Sequence, residues 1–346
     1  MASNKKPWIP RLHLFEIDDQ PWFPPFLRRH VQTGLTHAWL LRLPPLLSSS
    51  AAAQVAETLR RTLGADATRY TYVDFCAGAG GPTPEIERAL NRRLRDDASS
   101  TSTTKSKSDS KSADPITSSA TANGAPSYAA VADPGRDPAR ERQEEEKEGV
   151  RFVLTDLHPH AAEWEAACKK SDHLSYIAEP VDASDAPAGL ISRHTGPGKK
   201  VFRLYNLAFH HFDDGLARAM LKNTVETSDG FGIFELQERS INSFITCFLF
   251  GLFILLIAPF YYFPYYFTSP SALFFIYVMP IVPFVLVFDG LISSLRTRTP
   301  DEVKVLFRTC GADATGWEMR SGRQQFLWPC GYMSWIICTK KEGIDQ

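Results

Sequence analysis

Residues 71–82 read TYVDFCAGAGGP and give the strongest structural signal in the chain. The TYVDF part is β-branched or aromatic apart from one acid, which favours a buried strand. A glycine-rich turn follows at once. Thr83 and Pro84 then begin a segment in which apolar residues recur at helical spacing. A strand, a glycine turn and a helix in succession are typical of the nucleotide-binding unit of an α/β protein.

The glycine turn does not fit the two common phosphate-binding patterns. A P-loop requires a lysine after its glycines, and no lysine follows here. Thr83 stands where a dinucleotide fingerprint has its third glycine. Asp74 and two glutamates at the start of the helix make the region acidic, which disfavours an anion. S-adenosylmethionine has a sulfonium cation and no phosphate. We therefore expect this cofactor at Asp74, Gly78, Gly80 and Gly81.

Polar side chains also close the next strands of the predicted sheet. Asp156 ends the run 151–156. When the low-complexity residues 97–149 are not counted, it lies about 20 residues after the loop, as in a nucleoside-binding unit. An acid at this position accepts hydrogen bonds from both ribose hydroxyls. Asp182 follows a predicted third strand at 177–181 and would accept from the adenine amino group. Asn206 ends a fourth strand at 201–206, and a fifth is predicted at 232–236.

These motifs resemble those of class I S-adenosylmethionine-dependent methyltransferases: VDFCAGAGGP, TDLHP after the second strand, Val181-Asp182, and NLAFHHF after the fourth. Residues 10–24 are similar to the leading segment of a fungal and bacterial small-molecule subgroup. The resemblance implies a Rossmann-like α/β sheet of order 3-2-1-4-5-7-6, with residues 317–338 as the antiparallel strands that complete it. Cys76 departs from the pattern, which usually has glycine there; a cysteine can be accommodated at this position if its φ is negative.

His210, His211 and Glu235 are the candidate catalytic residues. They follow the fourth strand and end the fifth, where a neutral imidazole could take a proton from the methyl acceptor. The structural alternatives stay open: a histidine there can simply bind a backbone carbonyl, and Glu235 can be a capped or paired carboxylate. No metal site is expected, because the six cysteines form no C-x-x-C pair.

Two segments have extreme compositions. Residues 97–149 are almost entirely small, polar or charged, and we predict a disordered insert. Ser240 to Phe288 contains no Asp, Glu, Lys, Arg or His. Since a crossing needs about 20 apolar residues, this length predicts a transmembrane helical hairpin, with arms at 244–267 and 272–288. A buried helix pair or an interfacial hairpin is the alternative.

These observations predict an N-terminal helical segment (1–69), a cofactor-binding domain (70–240), the hairpin (241–288) and a C-terminal part that completes the sheet (289–346). The hairpin would hold the protein as a two-pass protein in a membrane such as the endoplasmic reticulum, with the catalytic domain in the cytosol. Lys and Arg number 38 against 39 Asp and Glu, so no basic surface indicates nucleic acid as a partner.

The function predicted from the sequence is methyl transfer to a small or lipid-like molecule at a membrane. One alternative is an inactive scaffold that keeps the fold, which Cys76 in the glycine loop suggests. Another is a Rossmann oxidoreductase, which Thr83 and the predicted C-terminal strand pair disfavour.

Overall fold

The computed structural model describes residues 7–42, 49–108, 149–261 and 270–341. The strands are β1 Tyr70–Phe75, β2 Phe152–Thr155, β3 Leu174–Tyr176, β4 Lys200–Asn206, β5 Gly230–Glu235, β6 Trp317–Leu327 and β7 Gly331–Lys340. The helices are α1 Pro25–Leu40, α2 Ala51–Leu63, α3 Thr83–Ser108, α4 Ala161–Cys168, α5 Ala188–His194, α6 Asp214–Thr227, α7 Ile241–Tyr261, α8 Pro270–Leu273, α9 Ile281–Arg296 and α10 Pro300–Arg308.

The strands form one mixed sheet in the order β3-β2-β1-β4-β5-β7-β6, as predicted. The first five are parallel, whereas β7 pairs antiparallel with both β5 and β6. The pairing of β5 with β7 joins the sequence before the apolar segment to the sequence after it, so both parts build one sheet. The third strand differs from its prediction: it is Leu174–Tyr176 rather than 177–181, and the later residues form the connection that leads to Asp182.

Alternate residues of the strands fill two apolar cores. On one face of the sheet Tyr72, Phe152 and Phe202 pack with the buried ring of Trp164, and Tyr72 stacks on Phe152 at 4.8 Å. On the other face Phe75 packs with residues of β4, β5 and α10. β1 is buried along its whole length, which is why its sequence is an almost continuous apolar run.

The first residues of the predicted disordered insert are helical. Helix α3 continues to Ser108, so residues 97–108 are helical rather than disordered. Arg60 of α2 pairs with Asp97 at 2.8 Å, which ties the first of these residues to the domain. The rest of the insert, up to residue 148, lies outside the described residues.

The structure does not support the predicted hairpin of two membrane-crossing helices. In the described part of the segment, no single helix is long and apolar enough to span a bilayer. The second arm is broken: Pro270–Val278 and Ile281–Arg296 meet at a bend of 69°, and only as this bent pair do they meet the length and hydropathy of a span. Pro280 explains the break, because a proline removes a helical hydrogen bond. Residues 262–269, at the end of the first predicted arm and the start of the connection to the second, lie outside the described residues, and Pro270 and Ser271 of that connection begin α8.

The apolar segment is instead built into the protein along one side. Ile254 of α7 and Val285 and Leu286 of α9 are buried against Leu27 and Val31 of α1 in a third apolar cluster. The N-terminal residues then cross α9, where Leu12 N–H donates to the carbonyl of Leu295 at 3.1 Å. This packing places α1, α7, α9 and the N-terminal residues beside the carboxyl ends of β4 and β5.

Candidate active site

The glycine loop and the second strand meet at the carboxyl edge of the sheet. The Asp156 carboxylate accepts a hydrogen bond from the Gly78 backbone N–H at 2.8 Å and another from the His158 N–H at 2.8 Å. The indole N–H of Trp164 donates to the Gly78 carbonyl at 2.8 Å. Gly78 has a φ of +51°, and a Cβ there would meet no atom within 4 Å, so the loop borders open space. The structure therefore places Asp156 beside this loop.

Asp74 and Asn206 form a second polar group at the ends of β1 and β4. The Asn206 amide donates to Asp74 Oδ1 at 3.2 Å, and the Thr83 hydroxyl donates to Asp74 Oδ2. Burial raises the pKa of Asp74 to about 7, although these two hydrogen bonds act in the opposite direction. Asn206 Oδ1 is buried and has no hydrogen-bond partner among the described residues. It is therefore an acceptor that a ligand could satisfy.

Cys76 has a φ of +64°, so the negative φ that would accommodate a cysteine without strain is not found. A side chain in this left-handed region is strained by roughly 1–2 kcal/mol, and such strain is concentrated at functional sites. Burial raises the pKa of the Cys76 thiol well above its usual range, and the charges of Asp156, Asp74 and Asp182 add to this effect. The thiol is therefore neutral and unreactive, and three predicted cofactor ligands surround it.

Asp182 is the most exposed of the predicted cofactor ligands. Its Oδ1 accepts from the Ser184 N–H at 2.7 Å and from the Ser184 hydroxyl at 2.6 Å, so the carboxylate closes a local turn. The Val181 N–H donates to the Asp156 carbonyl at 2.9 Å, which brings the two acids to neighbouring positions. One oxygen of Asp182 remains available to a donor.

The predicted catalytic residues His210 and Glu235 form a buried pair. His210 lies in a single 3-10 turn after β4, Phe209–His211, and its Nδ1 is 2.8 Å from Glu235 Oε2. The His210 backbone N–H also donates to Glu235 Oε1 at 3.2 Å. With Nδ1 on the carboxylate, the Nε2 atom of the ring is left as the reactive nitrogen. Leu207, just before the turn, has a φ of +53°, which marks further backbone strain here.

The turn that carries the two histidines is held by a residue that follows the apolar segment in the sequence. Arg298, which follows α9, donates to the carbonyls of Phe209 at 3.2 Å and Phe212 at 2.7 Å. It also pairs with Asp214 at 2.8 Å. The return from the apolar segment to the sheet therefore holds His210 and His211 in place.

The N-terminal residues supply carboxylates that the sequence analysis missed. Glu16 is buried, with Oε1 3.7 Å from His210 Nε2, and it accepts from the hydroxyl of Ser293 and from Arg296, each at 2.9 Å. Asp19 lies 3.0 Å from His211 Nδ1. The acidic run at 16–19, between aromatic and proline residues, was the available signal. Nothing in the local sequence indicates that it reaches the histidines.

His211 and Asp19 form an ion pair. Burial lowers the pKa of His211, but the hydrogen bond to Asp19 and the charges of Glu16 and Asp19 outweigh it and raise that pKa to about 9. Burial likewise opposes ionisation of Asp19, yet His211 and Arg296 hold the pKa of this carboxyl well below its usual range. Because His211 is protonated at neutral pH, His210 is the better candidate for a general base.

Glu16, His210 and His211 bring their ligand atoms within 4.8 Å of one another. These residue types could hold a metal ion, which the sequence analysis did not expect. Arg296, however, places a permanent positive charge 2.9 Å from Glu16 Oε1, and a divalent cation would have to overcome its repulsion. The cluster is better described as a proton and charge network.

A cavity of about 140 Å³ opens beside this network. Its apolar walls come from α1, α7, α9 and the end of β6, and include Leu35, Phe250 and Leu286. Glu16, Asp18, His210, His211 and Asp289 line its polar end. His210 of the predicted catalytic pair therefore borders a mainly apolar cavity of the kind that binds small molecules.

Comparisons with known proteins give distant matches in fold. No family model and no curated protein matches the sequence. A solved structure of the plantazolicin methyltransferase BpumL with a substrate analogue and SAH has a TM-score of 0.44 and 9% identity, covering 91% of this chain and 90% of that one. The N-methyltransferase NodS from Bradyrhizobium japonicum WM9, with S-adenosylhomocysteine, has a TM-score of 0.38 and 9% identity, covering 90% and 100%.

A third match is the 1,6-didemethyltoxoflavin-N1-methyltransferase of Burkholderia thailandensis, with a TM-score of 0.36 and 13% identity, covering 94% and 93%. All three of these proteins are methyltransferases by name. Because the identities and scores are low, the function of this chain has to be argued from its own site.

Proposed function

We propose that this protein is an S-adenosylmethionine-dependent methyltransferase whose acceptor is a small or lipid-like apolar molecule. The supporting observation is a single edge of the sheet with two adjoining parts. One part is the open glycine loop with its carboxylates, and the other is the buried His210–Glu235 pair beside an apolar cavity.

The residues present fit this cofactor. Asp156 and Asp182 each keep acceptor capacity for hydroxyl or amino donors, and Asn206 Oδ1 is a buried acceptor without a partner. Three carboxylates around Cys76 suit a ligand that carries a sulfonium and an ammonium charge. When bound, the cofactor supplies an activated methyl group. We assign cofactor binding to Asp74, Gly78, Gly80, Gly81, Asp156, Asp182 and Asn206.

The residues of the chain would contribute alignment, water exclusion and proton removal. The cavity walls orient an apolar acceptor and keep water from the transferring carbon. Glu235 orients the His210 ring, so that Nε2 can accept the proton of the nucleophile. His211, held by Asp19, would act as a fixed positive charge rather than as a base.

The decisive measurement is calorimetric titration of the full-length protein with S-adenosylmethionine, S-adenosylhomocysteine and NADPH. We expect the first two to bind and NADPH not to bind. Binding of NADPH alone would favour the oxidoreductase alternative, and binding of none would refute the proposal. An inactive scaffold would bind the cofactor but leave it unconsumed with every acceptor.

We also propose that the protein lies on a lipid surface through helix α7. One face of this helix exposes large apolar side chains, among them Phe248 at 61%, Leu252 at 51% and Leu256 at 60%. The opposite face, with Phe250 and Cys247, lines the cavity, so the helix separates the cavity from the exposed face. An exposed apolar face of this kind suits contact with a lipid surface, and an interfacial position was one of the two alternatives to a full crossing.

Flotation with neutral phosphatidylcholine vesicles tests this surface, since the segment is uncharged. The double variant Phe248→Ser/Leu252→Ser should stay behind while the wild type floats. Leu216→Ser/Val305→Ser, which removes two other exposed apolar side chains, should float like the wild type. Equal flotation of all three would refute lipid contact through α7. A wild type that does not float but dimerises would assign the face to a second copy.

A further inference from the structure

Acids outnumber the positive charges at the polar end of the cavity. Among the described residues, Glu16, Asp18 and Asp289 line it with two histidines and without lysine or arginine, and the charged histidine, His211, is already paired with Asp19. An anionic substrate such as a fatty acid or a phosphate ester would meet three acids there and no cation that is free of a carboxylate partner. A substrate that donates hydrogen bonds or carries positive charge fits this end better.

The three acids differ in how many hydrogen bonds their carboxylates accept from the protein. Glu16 is held by Ser293 and Arg296. Asp289 accepts the backbone N–H groups of Ile17 at 2.7 Å and Asp18 at 2.9 Å, which fixes the N-terminal segment against α9. Two of the acids are therefore committed to holding the structure.

Asp18 is not satisfied in this way. Its Oδ1 is buried and accepts no hydrogen bond from the described residues, although Arg28 Nε lies 3.7 Å away. The guanidinium of Arg28 donates instead to the backbone carbonyls of Asp18 at 2.8 Å and Gln20 at 2.7 Å. Gln237, also in the lining, has a buried Oε1 that accepts from no donor in the described part of the chain. Within that part, the cavity thus contains two acceptor groups that lack donors.

We propose that the methyl acceptor is an apolar amine, held as its ammonium by Asp18 and Gln237 with its hydrocarbon part against Leu35, Phe250 and Leu286. This inference rests on the proposed function and names the substrate class of that site. An ammonium offers three N–H donors, which matches acceptors on two sides of the polar end.

The transfer balances with the groups in place. The ammonium first loses one proton to His210 Nε2, which frees the nitrogen lone pair. The nitrogen then forms its bond to the methyl carbon while the carbon–sulfur bond of the sulfonium breaks and its electron pair stays on sulfur. The products are a methylated ammonium, S-adenosylhomocysteine and a protonated His210, which returns its proton to water.

Asp18 also predicts how amine binding depends on pH. The groups that face it are Arg28 from α1, Asp289 from α9, and Asp19 and His211. Burial raises the pKa of Asp18 to about 7; Asp289 and Asp19 act in the same direction, and Arg28 and His211 oppose it. An alkylamine stays protonated up to about pH 10. Its affinity should therefore rise between pH 6 and pH 8 as Asp18 ionises.

The test uses three probes with the same hydrocarbon chain: n-octylamine, 1-octanol and octanoate. Each is titrated calorimetrically into the full-length protein without cofactor. We expect octylamine to bind at least about tenfold more tightly than octanol, and octanoate to bind least. Asp18→Asn, which keeps the shape of the side chain, should lower octylamine affinity about tenfold and leave octanol affinity unchanged. Glu226→Gln, an exposed carboxylate on α6, should change neither.

Three results would each overturn the amine assignment. In the first, octanol binds as tightly as octylamine; in the second, Asp18→Asn lowers the affinity for both equally; in the third, no probe binds. A parallel titration with S-adenosylhomocysteine keeps the two proposals apart. Loss of amine preference with intact cofactor binding refutes only the substrate class. Absence of cofactor binding refutes the proposed function, whatever the probes show.

Discussion

Asp156 provides the sharpest test of the proposed cofactor site. Its carboxylate accepts hydrogen bonds from the backbone N–H groups of Gly78 and His158, each at 2.8 Å. In the proposed complex it also accepts hydrogen bonds from the ribose hydroxyls. Asp156→Ala removes all of these. A hydrogen bond to a charged group contributes about 1.5–3 kcal/mol, so the loss of two to the ligand amounts to about 3 kcal/mol or more. At about 1.4 kcal/mol per factor of ten, cofactor affinity should fall at least a hundredfold.

The same residue has a structural role, and the variants must separate the two effects. Asp156→Asn keeps an oxygen that can still accept from Gly78, so we expect a fold close to wild type but a clear loss of affinity for S-adenosylhomocysteine. Asp172→Asn, an exposed acid before β3, serves as the matched control. Calorimetric titration measures affinity and thermal unfolding measures stability. Unchanged affinity in Asp156→Asn, with an unchanged melting temperature, would show that the acid only anchors the loop.

Three further predictions concern the strained loop and the histidine turn. Urea titration measures the unfolding free energy of two variants of Cys76. Cys76→Gly should change it by less than about 1 kcal/mol, because relief of the strain at the positive φ offsets the loss of the side chain. Cys76→Val should lower it clearly, because a β-branched residue is poorly tolerated at this φ. Glu235→Gln should slow methyl transfer about tenfold or more while S-adenosylhomocysteine affinity is retained; an unchanged rate would assign the pair a purely structural role. The stabilisation from the His211–Asp19 pair, whose histidine has its pKa raised to about 9, is complete below pH 6.5 and is lost as pH rises through 9. The stability difference between wild type and Asp19→Asn should therefore shrink from pH 7 to pH 10.

The sheet could be predicted because its signals are local. A buried parallel strand is a continuous apolar run, and a polar residue after each run marks the edge where ligands bind, as Asp156 and Asn206 do. The third strand was placed a few residues late, because β3 is a short edge strand with little burial pattern of its own. The φ of Cys76 could not be predicted, because no local signal in the sequence sets its sign; in the structure it is +64°.

The apolar segment was misjudged for a different physical reason. Hydropathy alone does not distinguish a helix that faces lipid from one that faces another helix. In this protein Val285 and Leu286 of α9 pack on α1, and the bend before Ile281 divides the second arm. The partner that covers these residues, α1, lies far away in the sequence, so its contribution could not be inferred from the segment.

The half of the site that determines substrate choice comes from residues far apart in sequence. Glu16 and Asp18 reach the cavity because Asp289, an acid at the end of a long uncharged stretch, accepts the N–H groups of Ile17 and Asp18. Arg296, two turns further along α9, then fixes Glu16 beside His210. Charged groups thus begin directly after the apolar segment, where α9 meets the N-terminal residues and the histidine turn. In the proposed enzyme, residues far from the glycine loop in the sequence therefore select the substrate, whereas the loop binds the cofactor.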